Sequence, residues 1–310
     1  MTSTASIRRR GAIAFAAALL VLMTACHAAG SGGATALGDD AITVGSFDFP
    51  ESVLLGELYA QVLERAGFHV IRQFDLGPRE LVFPALQRGL LEVVPEYAGS
   101  ALSFLGGGAT ADPALTHQRL ADAVSSRGLS VFDGAPAMDR NGFVVTVATA
   151  ARWNLTSLGD LSPHAAEMVF AGPPECADRP LCLQGLENTY GLHFSNVLSL
   201  DTGGPLTVSA LTSGTADVGL LFTSDPLLNG GQLVLLRDDR ALEPAENVTP
   251  IVSDEAIRRF GPGVSAALDA LSIRLSTDEL RTMNGSVDGG ATPADVARAW
   301  LDSNVPMATG

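Results

Sequence analysis

The chain has 310 residues, a formal net charge of −15 and 46% hydrophobic residues. A chain this acidic is repelled by polyphosphate backbones, so we expect no nucleic-acid partner. Beyond the N-terminus no apolar run reaches transmembrane length, and we expect a soluble body with one large core or two medium ones.

The N-terminus predicts export and lipidation. Three arginines at positions 8–10 precede the apolar run GAIAFAAALLVLM, which is too short to span a bilayer but typical of a signal peptide. The run ends in LMTAC, which resembles the lipobox of bacterial lipoproteins, and there the cysteine, Cys26, becomes the lipidated first residue. We predict a signal peptide over 1–25, a flexible tether over 26–41 and an anchor in the outer face of the cell membrane. An ordinary signal peptide with an unmodified cysteine is the alternative.

Strands and helices alternate after the tether. AITVGS predicts a buried strand, and Pro50 opens an amphipathic helix with leucines on one face. FHVIRQF predicts a second strand, PRELVFPALQRG a helix closed by Gly89, and LLEVV a third strand. This order predicts an α/β fold with a parallel sheet.

A weak internal repeat predicts two similar lobes. ALQRGLLEVV from Ala85 and ALTSGTADVG from Ala210 share a helix end, a glycine, an acid and a valine at an offset of 210 − 85 = 125 residues. A new strand, GFVVTVA, begins near Asn141, so we expect chain crossings near positions 140 and 222. The predicted lobes are residues 42–139 plus 223–310 and residues 140–222.

Three segments are predicted to face a ligand cleft. In open α/β sheets ligands bind beyond the carboxyl ends of the strands. The segments placed there are SFDFPES, PEYAGS and FTSDP, which carry polar and aromatic side chains. Their acids Asp48, Glu96 and Asp225 either attract a cation or cap helices.

The segment PECADRPLC predicts a disulfide between Cys176 and Cys182. With Cys26 assigned to the anchor, these are the two remaining cysteines in an oxidising compartment, and they can pair in one way. So small a loop constrains the unfolded chain by about 2 kcal/mol, so the bridge shapes a local loop. Two free thiols or a metal pair are the alternatives, but no histidine lies nearby to complete a metal site. No metal or cofactor is expected.

Four motifs carry a family resemblance: VGSFDFPESVLLGELYAQVLE, FPALQRGLLEVVPEYAGS, PPECADRPLCLQGLENTYGL and GTADVGLLFTSDP. In this order, from about Ile42 to Trp300, they resemble the substrate-binding proteins of osmoprotectant ABC importers, which take up glycine betaine, choline, carnitine or proline betaine. The resemblance implies a two-lobed periplasmic-binding-protein clamp of type II, the Venus flytrap, in which each lobe is a sheet flanked by helices. It also implies a monomer that closes on a small ligand and hands it to a membrane permease.

The resemblance also implies roles for single residues. Arg179 stands where the family has an arginine that binds the ligand's carboxylate, and the predicted disulfide would hold it. A surface ion pair of Arg179 with Asp178 or Glu175 is the alternative. Tyr97 matches a position of the aromatic cage that holds quaternary ammonium groups, and Phe222 stands where the family has another ring.

Two tyrosines of that cage are absent, because this chain has Asn141 and Val208 near those places and only three tyrosines in all. Two of the three, Tyr59 and Tyr190, are predicted to be packing residues. The loss of two rings would weaken a trimethylammonium ligand by about 2 to 4 kcal/mol, unless Phe47 and Phe49 compensate. A neutral or aromatic hydroxylated ligand is therefore an alternative. The predicted hydrogen-bonding residues around such a ligand are Ser52, Ser100, Asn141, Thr223 and Ser224.

Two other functional classes were weighed against transport. The chain has no G-x-S-x-G, H-E-x-x-H, P-loop or dinucleotide-binding motif, so we do not expect an enzyme. A lipoprotein that senses a ligand without transport would use the same clamp, because a fold does not determine its partner.

Overall fold

The computed structural model describes residues 40–201 and 203–305. The predictions for the signal peptide, the tether up to residue 39 and Cys26 lie outside the described residues. Among the helices that are described, none is both long and apolar enough to cross a membrane.

Two five-stranded sheets organise the chain. The first sheet contains β1 (Ala41–Gly45), β2 (His69–Gln73), β3 (Val93–Tyr97), β4 (Leu129–Val131) and β10 (Val248–Ser253) in the order β2-β1-β3-β10-β4. The second contains β5 (Asn141–Thr146), β6 (Val169–Gly172), β7 (Asn196–Ser199), β8 (Val218–Phe222) and β9 (Leu233–Leu235) in the order β7-β6-β8-β5-β9. The two strand orders are equivalent, so the lobes share one topology.

Helices cover both sheets. They are α1 (Pro50–Arg65), α2 (Arg79–Gln87), α3 (Ala98–Phe104), α4 (Pro113–Ser125), α5 (Val147–Trp153), α6 (Leu183–Gly185), α7 (Pro205–Thr212), α8 (Asp254–Phe260), α9 (Gly263–Ser272), α10 (Thr277–Asp288) and α11 (Pro293–Asn304). A π-helical turn, Leu186–Tyr190, follows α6 directly. The predicted two-lobed α/β fold with a helix-flanked sheet in each lobe is confirmed.

The sheets are mixed, so the prediction of a parallel sheet was wrong for one strand in each lobe. β10 runs antiparallel to β3 and β4, and β5 runs antiparallel to β8 and β9. Each of these strands follows directly after the chain crosses from the other lobe. The chain therefore enters the sheet at the carboxyl ends of the parallel strands and runs in the opposite direction.

The internal repeat corresponds to equivalent strands. β3 and β8 are the third strands of their lobes, and 93 + 125 = 218 while 97 + 125 = 222. Tyr97 and Phe222 therefore end equivalent strands. β3 begins at Val93 and extends three residues beyond the predicted LLEVV through its pairing with β10. Pro95 lies opposite Pro250 in this pair, where neither proline has an N–H to donate to the ladder.

The second lobe extends further along the chain than predicted. β9 pairs with β5, so residues 233–235, which were assigned to lobe 1, belong to the second sheet. The return crossing lies beside the outgoing one, since Met138 forms a bridge with Asn247 and the amide of Asp139 donates to the carbonyl oxygen of Glu246 at 3.2 Å. The sequence pattern could not show this, because β9 has only three residues and its pairing is long-range.

One face of helix α1 and two of the tyrosines are buried in the cores of the lobes. Pro50 begins α1, and the leucine face of the helix is fully buried against α9 and α11. The Tyr59 hydroxyl lies 3.0 Å from that of Ser272, and Tyr190 packs in the core of the second lobe and donates to Asp238. Both tyrosines are packing residues, as predicted.

The disulfide between Cys176 and Cys182 is present, which confirms that prediction. The two Cα atoms are 5.2 Å apart. Both cysteines are buried and pack with Leu186 in the core of the second lobe. The bridge therefore ties the loop that carries Arg179 to this core.

Candidate functional site: a cavity beyond the strand ends

A cavity of about 550 Å³ lies beyond the carboxyl ends of β3 and β8. Its walls come from the loop after β1, the starts of α1, α2 and α3, the ends of β3 and β8, the first crossing, the segment after β8 and the end of α10. The equivalent strand ends supply Tyr97 and Phe222. The cavity therefore lies where an open α/β sheet is expected to bind its ligand.

Aromatic rings form one part of the wall. Phe49 stacks on Tyr97 with 6.1 Å between ring centroids, and Phe47 stacks behind Phe49 at 5.9 Å. Phe49 and Phe222 are each 38% exposed and line the cavity, whereas Phe47 is buried in the core. Phe49, Tyr97 and Phe222 are thus the rings available to a ligand.

A buried carboxyl, that of Glu51, lies against Tyr97. The Tyr97 hydroxyl donates to Oε1 of Glu51 at 2.6 Å, and Nδ2 of Asn284 donates to Oε2 at 2.6 Å. Asn284 lies on α10, and its Nδ2 also donates to the carbonyl oxygen of Ser224 at 3.2 Å. Donors from β3 and α10 therefore hold this carboxyl at the cavity wall.

A second carboxyl, that of Asp139, lies close to the first. The backbone amide of Ser224 donates to Oδ1 of Asp139 at 3.2 Å, and the Ser224 hydroxyl interacts with both carboxyls. Burial raises the pKa of Glu51 against the opposing effect of its hydrogen bonds. Burial and the charge of Glu51 raise the pKa of Asp139 well above its ordinary value. We call Glu51 and Asp139 the acidic pair.

The same surroundings keep the Tyr97 phenol protonated. Burial, followed by the charges of the acidic pair, raises the pKa of Tyr97 well above its ordinary value. The phenol therefore stays a hydrogen-bond donor to Glu51 at any physiological pH.

One arginine lines the cavity, and its charge is already paired. Arg79 donates to Glu96 at 2.9 to 3.2 Å through Nε and Nη2, and Glu96 is buried. The guanidinium also lies over the Phe47 ring, 5.1 Å from its centroid. Burial acts to lower the pKa of Arg79, but Glu96 outweighs it and the net shift is upward.

Of the residues that the sequence predicts to act on a ligand, six line the cavity: Phe49, Tyr97, Ser100, Phe222, Ser224 and Asp225. The Ser100 hydroxyl already donates to Oε1 of Glu246 at 2.9 Å.

The other predicted residues of this region are not among the described residues that line the cavity. Ser52 is fully buried and accepts the amide hydrogen of Phe47 at 2.9 Å. Asn141 donates to the carbonyl oxygen of Leu181 at 3.0 Å. The Thr223 hydroxyl accepts the amide hydrogen of Arg140 at the crossing at 3.0 Å. Their contacts support the loop and the crossing that shape the site.

Arg179 lies on the surface loop and outside the cavity wall. Its side chain is 68% exposed, and Nη2 lies 3.7 Å from Oε1 of Glu175. This arrangement matches the surface ion pair weighed from the sequence, and the role of Arg179 as a carboxylate anchor stays a prediction.

Sequence reasoning missed the acidic pair and Asn284. An acid after Pro50 has the pattern of a helix N-terminus, so Glu51 carried no separate signal. Asn284 lies 233 residues further along the chain, and only folding brings the two together. Asp139 was placed at a lobe boundary, but its burial depends on packing of the crossing.

Comparisons with known proteins show the family of the chain. Residues 40–303 match the model of the substrate binding domain of ABC-type glycine betaine transport systems. The glycine-betaine-binding protein of Pseudomonas aeruginosa is 28% identical over 84% of this chain and 87% of its own length. Glycine betaine-binding protein YehZ of Escherichia coli is 25% identical over 79% of this chain and 84% of its own length.

Solved structures show the same fold. The crystal structure of a glycine betaine/carnitine/choline ABC transporter protein superposes with a TM-score of 0.79 at 22% identity, over 84% of this chain and 98% of the other. Apo YehZ superposes with a TM-score of 0.74 at 26% identity, over 86% and 99%. The family match covers most of the chain, and the chain belongs to the family of substrate-binding domains of ABC-type glycine betaine transport systems.

Proposed function

We propose that this protein binds a small ligand with a quaternary ammonium group outside the cell and delivers it to the permease of its ABC importer. Lipidated Cys26 anchors the protein to the outer face of the cell membrane, and the protein works as a monomer. Relatives named for glycine betaine and carnitine support the ligand class. Family members are transport binding proteins, which favours delivery over catalysis or sensing.

The observation that carries the ligand class is the combination of rings and carboxyls around one cavity. Phe49, Tyr97 and Phe222 offer ring faces, and each desolvated cation–π contact contributes about 1 to 2 kcal/mol. The acidic pair adds an attraction for positive charge that a neutral hydroxylated ligand would not use. The cage tyrosines missing from the sequence are thus offset in part by Phe49.

Calorimetric titration of the purified full chain tests this proposal. Choline, glycine betaine, carnitine and a neutral hydroxylated aromatic compound are the ligands. We expect saturable heat from at least one quaternary ammonium compound. Heat from the neutral compound alone would contradict the proposal and favour the neutral-ligand alternative.

Phe222→Ala tests the site itself. We expect affinity to fall about fivefold to thirtyfold, because one ring is lost. Phe104→Ala is the matched control, since Phe104 is 39% exposed, close to the 38% of Phe222, but lies on α3 outside the cavity wall. Equal effects of both variants would contradict the placement of the site.

Lobe closure is the step at which Arg179 would reach a ligand carboxylate. We expect Arg179→Ala to weaken carnitine or betaine and to leave choline unchanged. Arg258→Ala is the control, because Arg258 is also 68% exposed and also pairs with a glutamate on its own segment. If Arg179→Ala leaves the affinity for betaine unchanged, Arg179 does not bind the ligand and forms only its surface ion pair.

A further inference from the structure

The wall of the cavity carries an excess of acid. The acidic side chains that line it are Glu51, Asp139, Asp225 and Asp288, and the one cationic side chain among the described lining residues is Arg79. Because Arg79 is bound to the buried Glu96, its charge is largely compensated before any ligand enters. Among the described lining residues, the acidic pair has no such counter-charge.

The acidic pair is also fixed in place independently of ligand. Tyr97 and Asn284 each donate to one oxygen of Glu51, and the Ser224 amide donates to Asp139. These donors come from β3, α10 and the segment after β8. The carboxyls are therefore preorganised at the wall before a ligand binds.

We propose that the acidic pair selects the charge of the ligand, so that the site prefers an organic cation without a carboxylate, of the choline type, to a zwitterionic betaine. The inference rests on the proposed function and names the ligand class within it. A monocation gains the attraction of two buried carboxyls. A betaine gains the same attraction for its ammonium group but brings its carboxylate to an acidic wall whose arginine is already paired.

Other ionisable groups face the acidic pair from each neighbouring element. Glu246 from the return crossing adds negative charge near Asp139, and the neutral Tyr97 phenol from β3 donates to Glu51. Asp225 and Asp288 line the same cavity. Burial raises the pKa of both members of the acidic pair, whereas the charge of a bound cation lowers both, so the cation displaces any proton that the pair holds. A cation is thus bound with release of protons.

Three ligands matched in size test the inference on the wild-type full chain by calorimetry. They are choline, glycine betaine, and 3,3-dimethyl-1-butanol, which is the uncharged isostere of choline. We expect choline to bind at least about tenfold more tightly than the other two. Betaine that binds as tightly as choline, or the isostere binding as tightly, would overturn the inference.

Two variants locate the selection. Glu51→Gln and Asp139→Asn are expected to weaken choline about tenfold and to leave glycine betaine unchanged or tighter. Asp122→Asn, at an exposed aspartate on α4, is the control and is expected to change neither affinity. An unchanged choline-to-betaine ratio in both site variants would overturn the inference. If Glu51→Gln does not fold, Asp139→Asn and the wild-type comparison still decide.

The two proposals fail in different ways. Tight binding of betaine with weak binding of choline leaves the proposed function standing and overturns the charge selection. Absence of binding by every quaternary ammonium ligand overturns both.

Discussion

Glu243, on the return segment between the lobes, is expected to destabilise the protein at neutral pH. Glu243 is 2% exposed, and its Oε1 atom has no hydrogen-bond partner among the described residues. Burial raises the pKa of Glu243 to about 8, although a hydrogen bond from Asn141 acts in the opposite direction. The folded protein therefore holds a proton on Glu243 at pH 7 that the unfolded chain has lost.

The magnitude follows from the difference in pKa. Because the pKa of Glu243 is higher in the folded protein, the protonated carboxyl contributes its full share to the free energy of unfolding below about pH 4.5. This contribution is lost as the pH rises toward 8. At pH 7 the loss is about 3 kcal/mol, from roughly 2.5 pH units at about 1.4 kcal/mol each. Glu243→Gln, which mimics the protonated acid, is expected to regain most of it, or about 6 °C in Tm for a protein of this size.

Urea unfolding at pH 4.5 and pH 7.5 checks this expectation. The variant and the wild type are expected to have similar free energies of unfolding at pH 4.5 and to diverge at pH 7.5. Glu167→Gln is the control, because Glu167 is exposed on the second lobe. A Glu243→Gln variant that is no more stable than wild type at pH 7.5 would refute the reasoning.

Three further outcomes are expected. Choline affinity rises from pH 5 to pH 8 as the acidic pair loses its protons, and calorimetry in two buffers of different ionisation enthalpy detects the released protons; a flat affinity would contradict this. Arg259→Ala costs about 2 kcal/mol in urea unfolding, because Nη1 of Arg259 donates at 2.7 Å to the buried Glu92, whose carboxylate would lose its counter-charge; an unchanged midpoint speaks against it. Replacing Cys176 and Cys182 with serine costs about 2 kcal/mol, and a reductant has the same effect on wild type; resistance to both changes would show that the bridge contributes nothing to stability.

Much of the fold could be predicted because its signals are local. Pro50 with its leucine face predicts α1, and Gly89 closes α2, since both signals depend on residues within a few turns. The pairing of the two cysteines followed from their number and compartment. Tyr97 and Phe222 were predicted as site residues because the family motifs place them at positions of the aromatic cage, and both residues end strands in the structure.

The strand directions, the lobe boundary and the chemistry of the cavity were decided by tertiary structure. β9 joins the second sheet by pairing with β5. A strand of three residues carries no sequence signal that identifies its partner strand. Glu51 meets Asn284 across 233 residues, and Asp139 is charged or neutral according to what buries it. The sequence by itself determined which segments form strands and helices, because periodicity and turn residues are local. Only folding determined which carboxyls share a wall, because burial and charge interactions depend on neighbours from distant parts of the chain.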